Sequence, residues 1–231
     1  MKQLPNDSAE LQQIYDRRFS DDLPYRDRVW QVLTRNFFSK YVAPDSTVLD
    51  LGCGYGHFIN NIRCATKYAM DLNPAAPTYL SPDVKFLHQN CAEAWQLADN
   101  SLDVVFTSNF FEHLPSKDLL TDTLTQARRC LRPGGRLIAM GPNIKYVGGA
   151  YWDFWDHHLA LSELSLTEGL EILGFALERV TAKFLPYTMV NQRPYPLGLI
   201  SLYLMFPPAW KVLGKQFLLV ARKPQADAGS R

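Results

Sequence analysis

The stretch Val48-Leu-Asp-Leu-Gly-Cys-Gly-Tyr-Gly-His-Phe58 decides the fold. With Thr47, its first residues make a short run that is apolar on nearly every residue, the pattern of a strand buried on both faces of a parallel sheet. The run enters Gly52, Gly54 and Gly56, where missing side chains let the chain turn sharply and a ligand lie against bare backbone. Phe58 to Ile62 can then open a helix with amino-terminal N–H donors. A lone GxGxG is weak evidence, because ordinary strand-to-helix turns also use glycine. It gains weight from Asp71, nineteen residues after Gly52 at the end of the next apolar run, Tyr-Ala-Met-Asp. A carboxylate there can accept both hydroxyls of a ribose.

Working outward, the apolar runs Thr47 to Leu51, Tyr68 to Met70, Val84 to Leu87, Leu102 to Thr107 and Arg136 to Met140 alternate with helical or loop stretches, which predicts an α/β domain. Residues 9 to 43 read as helices with a break at Asp22-Leu23-Pro24, and Pro44-Asp45 stops them. A helix is expected from Lys117 to Leu131, ended by Pro133-Gly134-Gly135. Another starts near Ser162 or Ser165, where Ser165 and Glu168 have capping-box spacing, and stops at Gly174. Strands follow at Phe175 to Phe184 and Gln216 to Ala221. Between them, Leu185 to Lys215 is too long for a hairpin turn, and its stretch Leu197 to Phe206 is apolar almost all round. Ten such residues cannot cross a membrane but can form a buried or an interfacial helix.

Composition narrows the function. The 231 residues carry 24 Lys and Arg against 23 Asp and Glu, a net charge of +1 that gives no field for gathering phosphates and disfavours nucleic-acid binding. With 47% hydrophobic residues, disorder is excluded as the main state. The amino end lacks a signal-peptide core and no apolar run reaches the roughly 18 residues of a membrane span, so the expected compartment is the cytoplasm. Cys53, Cys64, Cys91 and Cys130 form no CxxC pair, which argues against a zinc site or a disulfide framework.

The glycine loop also bears on the ligand. Pyrophosphate sites use GxGxxG, and here no glycine or alanine stands at the third fingerprint position. At this point the sequence resembles the class I S-adenosylmethionine-dependent methyltransferases, whose first motif is a VLDLGCGxG strand and loop. The likeness covers most of the chain: Ser101 to Leu114 looks like the family's fourth strand and active-site loop, and Leu131 to Asn143 like its fifth. It implies a Rossmann-like sheet of seven strands, mainly parallel with the last antiparallel, helices on both faces, and an amino-terminal helical lid. The expected division is a lid over 1–44, a cofactor-binding core over 47–184, an apolar insertion over 185–215 and a last strand over 216–223.

The resemblance implies S-adenosylmethionine as cofactor, S-adenosylhomocysteine as product, and a set of binding residues. Asp71 matches the ribose carboxylate, with Leu72 beside it; Asn90, Cys91 and Ala92 match the adenine edge, with an amide where the family more often has Asp. Gly52, Cys53, Gly54 and Gly56 give the loop backbone, and Asn109 and Phe110 flank the cofactor. Asp50 either accepts from loop amides or approaches the methionine amino group through water. In the amino-terminal aromatic and basic cluster, which as readily makes a solvated helix face, Tyr15 and Arg18 are candidates for the methionine carboxylate.

Catalysis needs in-line placement of the acceptor, and an oxygen or carbon acceptor adds a general base. His157, His113 and Asp156 are the candidates in that order, against plain readings in which His113 anchors its loop and Tyr151 to His158 packs its own aromatics. Asp156, His157 and His158 are adjacent, and adjacent side chains rarely converge on one ion, so no metal site is expected. The expected activity is methyl transfer to a small or medium-sized acceptor, which the apolar insertion extends to lipid-linked ones, with at most peripheral membrane contact through 197–213. Two rivals remain: a protein that binds the cofactor without catalysis, and a nucleotide-dependent oxidoreductase.

Overall fold

The computed structural model describes residues 23–187 and 195–225. Seven strands form one sheet: β1 (Thr47–Leu51), β2 (Thr66–Asp71), β3 (Val84–His88), β4 (Leu102–Ser108), β5 (Leu131–Pro142), β6 (Ala176–Thr181) and β7 (Gln216–Arg222). Their order is β3-β2-β1-β4-β5-β7-β6. The first five run parallel, and β7 pairs antiparallel with both β5 and β6.

The period of two along each strand sorts side chains into two cores. Leu49 and Leu51 face one and Val48 the other; Leu137 and Ala139 face the first and Ile138 and Met140 the second. Helices α3 (Lys117–Cys130) and α5 (Glu163–Ile172) cover the first face with Leu120, Leu124, Ala127, Leu166 and Leu170. The second is covered by α1 (Leu23–Asn36), α2 (His57–Asn61), α6 (Leu197–Met205) and α7 (Pro207–Leu213), through Val32, Leu33, Phe58, Ile59, Leu204 and Trp210. A short α4 (Ile144–Val147) leads from β5 into a 3-10 stretch, Gly148–Asp153.

Most element expectations agree with the structure, and the departures have physical causes. The helix expected to run to Leu131 ends at Cys130, and β5 begins at Leu131 because that residue already pairs with Leu102. The capping box is Ser162 with Ser165, not Ser165 with Glu168: the Ser162 hydroxyl accepts from the Ser165 amide while the Ser165 hydroxyl accepts from the Ser162 amide. α1 is described from Leu23 onward and includes Pro24, whereas Asp22 of the expected break lies outside the described residues. The insertion forms α6 and α7, and only one side of α6 is buried: Leu204 is 6% exposed, Met205 73%. No helix among the described residues is long and apolar enough to cross a membrane.

Candidate functional site

Open α/β sheets bind ligands beyond the carboxyl ends of their strands, where the strand order reverses. Here that point lies between β1 and β4, and the lining of the cleft includes Asp50 in β1 with Gly52, Cys53 and Gly54 after it, Ser108 at the end of β4 with Asn109, Glu112 and His113 after it, and Asp156, His157, Tyr187 and Gln216.

The glycine loop is held in a left-handed conformation that only glycine adopts freely, with φ of 68°, 50° and 69° at Gly52, Gly54 and Gly56. A Cβ on Gly52 would lie 2.3 Å from the Phe110 ring, so the loop backbone and Phe110 are in direct contact. The loop amides are already spent. Gly52 and Cys53 donate to the Met70 carbonyl at 2.9 and 3.1 Å, Gly56 donates to the Cys53 carbonyl at 2.8 Å, and Gly54 donates to Asp71 Oδ2 at 2.8 Å. Asp71 Oδ1 accepts from the Asn73 amide at 2.8 Å. Each carboxylate oxygen has two lone pairs, so hydroxyls can still bind the other side. A pyrophosphate would find none of those four amides to cradle it, and α2, with five residues, is too short to supply a helix-terminus site instead.

Beneath the loop, Asp50 is 3% exposed. Burial pushes its carboxyl up to about 8, the Ile59 amide opposes the shift, and the charge of Asp71 adds to it. Burial also raises Asp71, against the amides of Asn73 and Gly54. A buried and a half-buried carboxylate beside a loop with four of its amides already engaged suit a ligand that brings hydroxyls and positive charge.

Across the cleft, Glu112, His113, Asp156 and His157 come together, which no single stretch of sequence announces. His113 Nδ1 lies 3.0 Å from the Asp156 carbonyl and 3.1 Å from its carboxylate, and Asp156 is itself buried. Burial alone would lower the imidazole, but the Asp156 hydrogen bond and the charges of Glu112 and Asp156 hold it above its ordinary value. Burial lifts Glu112 to about 7, with His113 pulling the other way. His157 Nδ1 is 2.9 Å from the Tyr151 carbonyl and its ring stacks on Phe154. The Glu112 carbonyl accepts from the His158 and Leu159 amides, tying the two loops together. Donor atoms of Glu112, His113 and His157 lie within 4.8 Å of one another, so these three could meet a metal ion; His158, considered with Asp156 and His157 from the sequence, is exposed and not among them.

Of the expected residues, Asp50, Gly52, Cys53, Gly54, Asn109, His113, Asp156 and His157 line the cleft. Gly56, Asp71, Leu72, Cys91, Ala92 and Phe110 do not line it; Asp71 and Phe110 act on it through the loop. Asn90 is also off the cleft wall, and its Oδ1 accepts from the Ala92 amide at 3.0 Å, which shapes the turn after β3. Leu72 offers its carbonyl to His88 Nε2 at 2.9 Å, and Cys91 is buried with its sulfur accepting from Thr123. Tyr15 and Arg18 lie outside the described residues. Sequence reasoning missed Glu112, Tyr187, Gln216, His57 and the role of Trp30 as cleft wall. None of them carried a local signal of its own; Glu112, next to His113, reads as a solvated carboxylate until the fold buries it.

The sheet order and the glycine loop, with Asp50 and Asp71 near the carboxyl ends of β1 and β2, define a Rossmann-like domain. Residues 49–139 match the family described as a methyltransferase domain. The 2-methyl-6-phytyl-1,4-hydroquinone methyltransferase of Synechocystis is 29% identical over 168 residues, 61% of this chain and 49% of that one. The malonyl-(acyl-carrier protein) O-methyltransferase of Methylococcus capsulatus is 33% identical over 103 residues, 41% of this chain and 36% of that one. In both cases the chain spans half or less of the relative's length. A SAM-dependent methyltransferase from Archaeoglobus fulgidus shares the fold with a TM-score of 0.65 at 19% identity, covering 92% of this chain and 99% of that one. Over residues 49–139 the chain is therefore similar to S-adenosylmethionine-dependent methyltransferases, and S-adenosylmethionine is the cofactor that this similarity indicates.

Proposed function

We propose that this chain transfers a methyl group from S-adenosylmethionine to a small or medium-sized acceptor, including apolar or lipid-linked ones, in the cytoplasm. The observation that carries the reading is the glycine loop: four of its amides donate within the chain, and it lies between buried Asp50 and half-buried Asp71. That suits a cationic nucleoside and not a pyrophosphate. The cofactor supplies an activated methyl on a sulfonium. Gly52, Cys53, Gly54 and Gly56 give it bare backbone, Asp71 the ribose acceptor, Asp50 a charge for the amino group, and Asn109 with Phe110 a flank. Leu72 and Asn90, Cys91 and Ala92 hold the adenine end, and Tyr15 and Arg18 the methionine carboxylate.

On the acceptor side, His113 is the proton acceptor that geometry favours, because Asp156 engages its Nδ1 and thereby sets the ring for work at Nε2. His157 and Asp156 remain the neighbouring candidates. The names of the relatives, a phytylated hydroquinone methyltransferase and a malonyl-(acyl-carrier protein) methyltransferase, fit acceptors that are small or joined to a long carrier. Calorimetry tests the cofactor half: S-adenosylhomocysteine should bind, and binding of NAD(H) in its place would overturn the reading. Transfer of a labelled methyl to any component of a cell extract separates catalysis from silent binding.

A further inference from the structure

Helix α6 is apolar all round, yet only part of it faces the core. Leu204 is buried and Leu197, Ile200 and Tyr203 pack on the second core. The opposite face presents Leu199, Leu202 and Phe206, spaced three and four residues apart, with Met205 beside them and Val212 and Leu213 on α7. Seven of the thirteen exposed large hydrophobic side chains of the described residues lie within 195–213; the other six are spread over the rest of the surface. A soluble helix that buries one side normally shows a polar opposite face.

The patch is firmly mounted. Asn36 on α1 donates to the Ser201 hydroxyl at 3.1 Å, and the Tyr25 hydroxyl both donates to the Tyr195 carbonyl and accepts from its amide, at 3.0 and 2.8 Å. It is also joined to the cleft. The insertion's two ends are pinned together where the Lys215 and Gln216 amides donate to the Leu185 carbonyl at 2.8 and 3.0 Å and Gln216 Nε2 donates to the Pro186 carbonyl at 2.9 Å. Tyr187 and Gln216, at that base, line the cleft.

Charge singles out the occupant. From Leu185 to Lys215 the sequence holds no Asp or Glu, while Lys211 and Lys215 are exposed and Lys183 Nζ reaches the Lys211 carbonyl. A second copy of this face would set its lysines against their own kind, whereas an anionic bilayer offers phosphates to the lysines and acyl chains to the leucines. We propose that Leu199, Leu202, Met205, Phe206, Val212 and Leu213 dock on an anionic membrane surface and hold the cleft mouth there, so that the acceptor is reached from the lipid. This rests on the methyltransferase reading only for the last clause.

The test is sedimentation of the full chain with phosphatidylcholine vesicles containing about a third phosphatidylglycerol, and with pure phosphatidylcholine vesicles. Retention should favour the anionic vesicles and fall several-fold when salt is raised to about 0.5 M, since the charge component is screened. L202E/F206E should weaken retention at least tenfold, and K211Q/K215Q should remove the preference for anionic lipid. Both variants should keep wild-type affinity for S-adenosylhomocysteine, so a cofactor failure and a docking failure read out separately. If L202E/F206E does not fold, V212E on α7, where the native side chain is 77% exposed, serves in its place. Failure of the wild-type chain to sediment with either vesicle, equal retention of the glutamate variants, or a dimer formed through this face without vesicle binding would overturn the proposal.

Discussion

The two walls of the cleft are made differently. The wall we assign to the cofactor is backbone, a loop of three glycines pinned by amide hydrogen bonds to Met70 and Asp71 from the adjoining strand. The wall we assign to the acceptor is side chains, with Glu112 and His113 from one loop, Asp156 and His157 from another, Tyr187 from the start of the insertion and Gln216 from the first position of β7. A backbone wall tolerates little steric change, whereas a side-chain wall can be redrawn residue by residue on a fixed sheet. The sharpest way to break this contrast is with glycines on both sides. Gly52→Val puts a branched side chain into the Phe110 ring at a φ of 68°, and should weaken S-adenosylhomocysteine binding by at least about a hundredfold, or ~2.7 kcal/mol, by calorimetry. Gly149→Ala, whose Cβ would meet nothing within 4 Å, should leave that affinity unchanged. Equal losses would mean that the glycine loop is no more constrained than a surface turn.

Next in size is Asp71. Its carboxylate serves the Gly54 and Asn73 amides in the free protein, so replacing it both loosens the loop and removes an acceptor for ligand hydroxyls. Asp71→Ala should cost roughly thirtyfold in S-adenosylhomocysteine affinity, about 2 kcal/mol for charge-assisted hydrogen bonds. The thermal midpoint should fall as well. An unchanged affinity with a lowered midpoint would leave Asp71 as a loop anchor alone.

Buried polar side chains away from the cleft should answer in stability and not in cofactor affinity. Asn143, fully buried after β5, donates to Glu163 at 2.6 Å and to the Ala182 carbonyl at 2.9 Å, and Glu163 also meets Lys145 at 2.7 Å. Asn143→Ala leaves a buried carboxylate short of a partner and should cost about 2 kcal/mol in urea unfolding. S-adenosylhomocysteine affinity should move less than about twofold, because Asn143 lies off the cofactor wall.

The same contrast explains what could be read in advance. β1 is recovered residue for residue, and β2 to β4 to within a few residues, because strands buried on both faces need continuous apolar runs and glycines mark where they stop. Gly52 to Gly56 and Asp71 are legible for the same local reason. Glu112 is not: a carboxylate before a histidine looks solvated until β4, β5 and the Tyr151 to His158 loop close over it. Nor can spacing show that Asp156, forty-three residues from His113, supplies that ring's partner. The two-sided nature of α6 is hidden as well, since a helix apolar all round gives no period from which to choose the buried face.

The smallest expected effect concerns Asp50, whose charge is in play near neutral pH. Its folded value is about 8 against an ordinary 3.8, so the folded chain holds a proton that the unfolded chain releases. Stability from this group is therefore greatest in acid and is lost as pH rises from about 4 to about 8. Ligand binding has the opposite sign. A ligand with a protonated amine favours the ionised carboxylate, so binding in this range expels a proton and affinity should rise about fivefold from pH 7 to pH 8 before levelling off. Asp50→Asn has no proton to lose and should flatten that rise in calorimetry across the same range. A rise that persists unchanged in Asp50→Asn would move the amino group's partner elsewhere on the wall and leave Asp50 as an anchor for the Ile59 amide.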